Sequence, residues 1–540
     1  MALDKKQKAF RYFPVMPIEA NSLNFERAII RLLVLLYTKG KVIAQTSKDT
    51  LYPENLVELV KYNKTSFEGV DDPLRERLMK NWIVADYATT VVEGKGRKGR
   101  TRVAHIKPLH LSTIKLYDPR IKSHDREIST FLYNVFKGSS IASDSDFLMS
   151  YLLEGTKRFG EYDLKVDEEK FDGLDIETQF LLRLLENFKV DKPSTGVKLV
   201  QNYNFICEAQ RKQILTDTLK VLVYKNSVPR RELFNYLTII FRFHTAVFSM
   251  KTYKQIISLV NNKKLHCGLC KSIQNEKDFD KLGRCDFQPK IFVDLTLGQD
   301  KICDTLAKKS TENNYNEMYR YFKAHYKLAK LAEFAKIRGI NEPNIEDLLE
   351  FEKHSDGYFE VKLGEIITDE DLRGDPDIQE ILNLNISPLD KYIEVLCNDK
   401  SNWKNLVNRH KKFMSAICSM NNDDGFLQGG RGKRRKYVLG NLLLEVLVQL
   451  AVVSADARGF KTQPITIVSF VEWLKNRYGI YINEWPEDND SPEIAKALNN
   501  NYEALKNRLR QLGFYTDLSD ASNSQVIKPR FKIEPEIQKV

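Results

Sequence analysis

The sequence predicts a mainly α protein, with a multi-domain helical core flanked at both ends by small α+β modules. Three observations carry that expectation. Apolar residues recur at helical spacing through most of 121–420, strand-like runs there are few, and each end shows helices followed by two alternating, strand-like runs. The chain has 540 residues, room for roughly three or four domains of ordinary size. Its 42% hydrophobic share excludes disorder on a large scale, because that much apolar surface can build real cores.

The expected segments are a module at 1–120, helical domains at 121–261 and 313–428, an irregular cysteine-containing stretch at 262–312, and a basic arm with a second module at 429–540. In the first, Asn24 can cap a helix carrying Ile29, Leu32, Leu33, Leu35 and Leu36, and Gly40 ends it. Two further helices follow, over Pro53–Tyr62 and after Asp72-Pro73. Trp82–Val92 then reads as a strand, with a turn at Glu93–Arg102 and a return strand at Val103–Ile106. In the middle, helices are expected over Glu127–Phe136, Ser145–Leu153, Ile176–Phe188, Glu208–Tyr224, Arg230–Leu259, Asn314–Arg338, Ile345–Glu352, Ile378–Leu384 and Trp403–Met420. Lys290–Leu295 and Tyr358–Ile366 read as strands.

At the C-terminal end, Leu439–Val453 is apolar nearly all round and should be buried. Ile467–Tyr478 follows, then a helix opened by Ser491-Pro492 and stopped by Gly513. Phe514–Leu518 and Gln525–Phe531 alternate as strands. This helix–helix–helix–hairpin order resembles a winged-helix domain, and the first segment resembles one more loosely.

Charge sharpens the reading. Lys and Arg number 84 against 73 Asp and Glu, a net +11, and the tightest basic clusters sit in glycine-bearing loops. One is the hairpin tip with Lys95, Arg97, Lys98, Arg100 and Arg102; the other is the arm with Arg431, Lys433, Arg434, Arg435 and Lys436. Such clusters neutralise phosphates with little sequence selectivity. Lys506, Arg508 and Arg510 on the last helix could read bases in a major groove or position the module on phosphates. Set against this, any of these charges could be an ordinary solvated face of a module that binds protein. Phosphate neutralisation looks alike for DNA and structured RNA, so both remain open.

No enzyme motif survives inspection. Gly94–Gly99 satisfies Gly-x-Gly-x-x-Gly, but a dinucleotide loop must open a helix inside a β-α-β unit, and here a second strand follows. Gly432-Lys433 is followed by Arg434 rather than Ser or Thr, so no phosphate-binding loop of an ATPase is present. Asp356, Glu360 and Lys362 suggest a metal-dependent nuclease, yet the strand–helix framework around them is missing. Cys267, Cys270, Cys285 and Cys303, with His266 in reserve, could hold one structural zinc; without a second Cys-x-x-Cys, buried free thiols fit equally well. Zinc is the one cofactor expected. Cys207, Cys397, Cys418 and His244 read as core.

Seven cysteines in 540 residues, no apolar run near the ~20 needed to span a bilayer, and no signal-peptide pattern lead to an expected cytoplasmic location. The layout, large and helical with basic terminal modules such as Arg431–Lys436, resembles accessory DNA-binding subunits of bacterial anti-phage, restriction-type defence systems. One such subunit is the partner of the ATPases in phosphorothioation-dependent restriction. That resemblance implies a non-catalytic adaptor working beside a separate ATPase or nuclease subunit, and it assigns no residue. The competing readings are a protein–protein scaffold and a divergent nuclease.

Overall fold

A computed structural model describes residues 8–42, 73–74, 77–78, 81, 85, 88–92, 102–116, 125–137, 148–159, 164–185, 198–268, 285–368, 374–430, 433–456, 459–487, 491–515 and 526–534. The protein is mainly helical, as expected, and its short strands pair only in twos among the described residues. It divides into two compact units. The smaller comprises Leu23–Asn202 and Asp217–Thr238, the larger Met1–Ser22, Tyr203–Thr216 and Ile239–Val540.

The smaller unit is built around α1 (Phe25–Tyr37), packed on α2 (Ile128–Phe136). Asn24 caps α1, its side chain accepting from Arg27 N at 3.2 Å. Past the first turn α1 is buried on every face, so its one cation there, Arg31, needs an internal partner. Asp125 supplies it, and also accepts from Ser129 N at 3.0 Å and Ser129 Oγ at 2.7 Å. Burial still raises the Asp125 carboxyl above its ordinary value, against the pull of Arg31. Strand β1 (Lys41–Val42) pairs with β6 (Lys198–Leu199); β2 (Ala88–Val92) pairs with β3 (Arg102–Ile106), and β4 (Thr156–Arg158) with β5 (Leu164–Val166), all antiparallel. The β2–β3 pair is the hairpin expected in the first segment. Helix α3 (Ile176–Leu185) matches its expected start.

Helix α4 spans Glu208–Leu222 and α5 Arg230–Asn262. In the larger unit the longest element is α6 (Lys301–Ile337), about 55 Å at 1.5 Å per residue. It begins thirteen residues before the expected Asn314, because Asp300 caps it, accepting from Ile302 N at 2.9 Å and Cys303 N at 3.1 Å. Helix α7 (Asp356–Ile367) replaces the strand expected over Tyr358–Ile366. Its Tyr, Phe and Val favour strands locally, but Phe359, Leu363 and Ile366 recur at helical spacing and are all buried. Tertiary packing against the helix Pro388–Asn398 overrides local preference. Helices α8 (Pro376–Asn383) and α9 (Pro388–Asn398) start with Pro behind the caps Asp375 and Ser387. Helix α10 covers Lys400–Ile417.

The chain then forms the hairpin β8 (Leu427–Gly430) and β9 (Lys433–Tyr437), followed by α11 (Asn441–Ala451). An unforeseen hairpin, β10 (Val453–Asp456) with β11 (Gly459–Thr462), precedes β12 (Ile465–Thr466) and α12 (Ile467–Tyr478). After β13 (Ile480–Tyr481) comes α13 (Pro492–Gln511), capped by Ser491, and then β14 (Val526–Ile527), antiparallel to β12. Lys528 N also donates to Phe514 O at 3.0 Å, joining the two runs expected to pair. Strand β13 lies parallel to β7 (Ile291–Phe292), which ties this region to the foot of α6. Asn501 of α13 locks the junction. It accepts from Leu295 N at 2.7 Å and donates to Val293 O and Ile482 O at 2.9 and 2.8 Å.

Candidate nucleic-acid interface

The site is built on the β8–β9 hairpin, α10 and α6 of the larger unit. The turn entering the hairpin is compressed: a Cβ on Gly425 would sit 2.1 Å from Ser419 O, so no other residue fits. Asn421 clamps the first strand, donating to Gly429 O at 2.7 Å and accepting from Gly429 N at 2.9 Å. Strand β9 then presents its basic run to three different environments.

Lys436 faces inward, its Nζ 2.8 Å from both Asp294 and Asp304. Burial opposes its charge, yet the two carboxylates outweigh burial and hold its pKa above the ordinary lysine value. Arg435 is half-buried, bonded to the Tyr315 hydroxyl and donating to Lys411 O at 3.2 Å. Arg434 faces out, 77% exposed, with Glu312 at 3.4 Å. A regular strand would put Arg434 and Lys436 on one face, but the register shift between Gln428 and Gly430 breaks the alternation of β9, so the basic run does not meet a single partner. Lys433 belongs to β9 with its side chain outside the described residues, and Arg431 lies wholly outside them.

The hairpin borders a surface that the sequence reading missed. Helix α10 carries Lys400, Lys404, Arg409, Lys411 and Lys412 and no Asp or Glu. The 3.6-residue repeat places Lys404, Asn408, Lys411 and Lys412 along its outer side, all exposed except the half-buried Lys411. Lys411 Nζ lies over the rings of Tyr315 and Tyr319, at 5.7 and 5.8 Å from their centroids. Arg435 is 5.7 Å from the same Tyr315 ring. Cations spaced along a helix, interleaved with aromatic rings and continued by Arg434, suit a polyanion. The sequence holds the signal as a stretch, Lys400–Ile417, with five cations and no acid, but without the glycines that mark the two basic loops.

The last helix uses its cations locally. Arg508 donates to Leu439 O, and its burial lowers its pKa. Lys506 pairs with Glu503 at 2.6 Å, and Arg510 is exposed, donating to Asn507 at 3.3 Å. Arg102 lies in β3 with its side chain outside the described residues; Lys95, Arg97, Lys98 and Arg100 are outside them altogether.

Cys267 and Cys285 come together, Sγ to Sγ 3.5 Å, while Cys270 lies outside the described residues. Cys303 is placed apart from them, its thiol donating to Ala497 O at 3.1 Å among Phe292, Tyr481 and Trp485. His266 Nε2 is 3.2 Å from Glu346 Oε1. Two thiols are half of a tetrahedral zinc set, and the described residues contain no group of three or more His, Cys, Asp or Glu side chains that could hold a metal. Cys207, Cys397, Cys418 and His244 are buried, as expected for core residues. Glu360 and Lys362 sit on the helix α7 instead of a strand, and Lys362 pairs with Glu365 at 2.9 Å.

The family model for the methylation-associated defense system protein MAD7 matches residues 5–531. The chain belongs to this family. It is therefore a component of a methylation-associated defence system, in line with the layout resemblance drawn from the sequence. No curated protein and no solved structure matches it. Among the described residues of this defence-family chain, no helix is long and apolar enough to cross a membrane.

Proposed function

We propose that the chain is the non-catalytic, nucleic-acid-binding adaptor of a methylation-associated defence complex, working in the cytoplasm beside a separate ATPase or nuclease subunit. The observation that carries this reading is the acid-free row of Lys404, Lys411 and Lys412 on α10, continued by Arg434 on β9. Arg431 and Lys433, next to Arg434 in the chain, and the separate basic run Lys95–Arg102 of the smaller unit are further candidates for phosphate contact. Duplex DNA is the expected ligand, held by its phosphates, with structured RNA as the competing substrate. The C-terminal module, winged-helix-like in its order, would serve a different purpose. Lys506 and Arg508 are engaged within it, which favours a protein-docking role for α13, the site of the partner subunit.

The test is binding of full-length protein to duplex DNA, single-stranded DNA and structured RNA across a salt series. Replacing Lys404, Lys412 and Arg434 together by Ala should make the slope of log K against log salt shallower by about 2 to 3. An unchanged slope, or no binding by the wild type at low salt, would refute the proposal and leave the scaffold reading.

A further inference from the structure

In the larger unit a cleft of about 400 Å³ is lined by α5, α6, the residue ahead of β7 and the turn after β13. Helical spacing puts Asn313, Asn316, Glu317 and Arg320 on one side of α6, and all four line the cleft. Lys254 of α5 and Lys290 reach it from the neighbouring elements, and Trp485–Glu487 complete the wall.

Charge in the cleft is unbalanced. Glu317 pairs with Lys254 at 3.4 Å. Glu487 pairs with Lys309 at 2.7 Å and accepts from Asn313 Nδ2 at 2.7 Å. Each acid is thereby matched. Lys290 Nζ donates to the neutral carbonyl of Pro486 at 3.1 Å, and neither Lys290 nor Arg320, both exposed, forms an ion pair among the described residues.

The spare cations converge. Burial raises the Glu317 carboxyl above its ordinary value, against the pull of Lys254, Arg320 and Lys290, so all three cations lie within electrostatic reach of one carboxyl. Exposed lysines and arginines are ordinarily solvated one by one. Cations gathered on the walls of a concave cleft instead focus their field and raise the local concentration of anions.

The imbalance describes the ligand. Two uncompensated charges match a phosphate monoester, which carries about −1.5 to −2 at neutral pH. A carboxylate or a backbone diester, with one charge, matches less well. Arg320 offers a planar fork for two phosphate oxygens, and Lys290 a point charge. Asn316, exposed and without a partner among the described residues, adds a neutral amide donor. The volume is in the range of small-molecule sites and leaves room for the organic group of an ester.

We propose that this cleft binds a phosphate monoester, with Arg320 and Lys290 holding the phosphate and Asn316 donating to it. No lining residue belongs to α10 or to the β8–β9 hairpin, so the proposal does not rest on the nucleic-acid reading of that surface. The monoester is either a free small molecule or the phosphorylated end of a strand, and the chemistry recognised is the same.

Calorimetric titration of the full chain at constant ionic strength tests this. The probes are ribose 5-phosphate, AMP and a short single strand with a 5′-phosphate; their controls, which lack a monoester, are ribose, cyclic AMP and the same strand with a 5′-hydroxyl. A monoester probe should bind at least about tenfold more tightly than its control, and Arg320→Gln should erase most of that difference. Lys290→Gln should reduce it as well. Both side chains are exposed, so an unchanged melting temperature separates lost binding from lost folding. Preferential binding of ribose 5-phosphate or AMP assigns a free ligand. Preference for the 5′-phosphate strand alone, erased by Arg320→Gln, assigns a strand end. No preference for any monoester over its control, or a preference that survives both substitutions, would overturn the proposal.

Discussion

Lys436 and Asp294 meet at 2.8 Å inside the larger unit, with Asp294 fully buried and Lys436 only 8% exposed. A cation from a run that looks like a DNA-binding arm thus serves as the internal counterion of a core carboxylate. The second carboxylate, Asp304, belongs to the first turn of α6, so the same ammonium ties the hairpin to that helix.

Lys436→Met should therefore cost about 3–5 kcal/mol of stability, because it strands a buried charge. Arg434→Ala, two residues earlier and exposed, should change stability by no more than about 0.5 kcal/mol. Urea unfolding of both variants checks the contrast. Equal effects would mean that the Lys436 bridge contributes nothing beyond a surface charge.

Acid stability should follow the buried histidines. Burial pushes the pKa of His325 down to about 4 and that of His410 down to about 3, against the help of their backbone hydrogen bonds. His110 in the smaller unit is likewise pushed down to about 3, by burial and then by Arg230. The unfolded chain, titrating near pH 6.5, binds more protons than the folded one below that value, so stability is fully present above about pH 6.5 and lost as pH falls through about 4 for His325 and towards 3 for His410 and His110. Melting temperature should drop steadily between pH 6.5 and 4, and His410→Phe should flatten the drop. A flat profile in the wild type contradicts the buried neutral state.

The Cys285 thiol is pushed up by its hydrogen bond to Cys267 and by burial, so it is uncharged at neutral pH in metal-free protein. Its alkylation by iodoacetamide should be slow at pH 7, rise with pH, and speed up in Cys267→Ala. Zinc would reverse this, since a coordinating thiol loses its proton. Metal analysis of the purified protein, with alkylation before and after a chelator, separates the two states.

Gly479 ends α12 in the left-handed region at φ +72°, and a Cβ there would lie 1.9 Å from Pro289 O. Gly479→Ala should cost more than the about 1–2 kcal/mol of the backbone conformation alone, because backbone must also move. A change below 1 kcal/mol in chemical unfolding would show that the β7–β13 junction yields easily.

Much of the helical layout could be read from one sequence. Ile467–Tyr478 and the Ser491-Pro492 helix start appear where apolar spacing and capping place them, as does the β2–β3 hairpin, because caps, turns and periodicity act over a few residues. Tyr358–Ile366 could not be read that way: strand-forming residues became helix once Phe359, Leu363 and Ile366 found a common face to bury.

Composition and periodicity alone determined a mainly α chain, its surplus of positive charge and the positions of most helices. Only the tertiary structure decided which cations are available to a partner. Lys436 and Arg434 have the same charge and almost the same address, yet one is enclosed by two aspartates and the other faces water. Burial and pairing depend on residues more than a hundred positions away, and these long-range neighbours, not local sequence, set the environment of each charge.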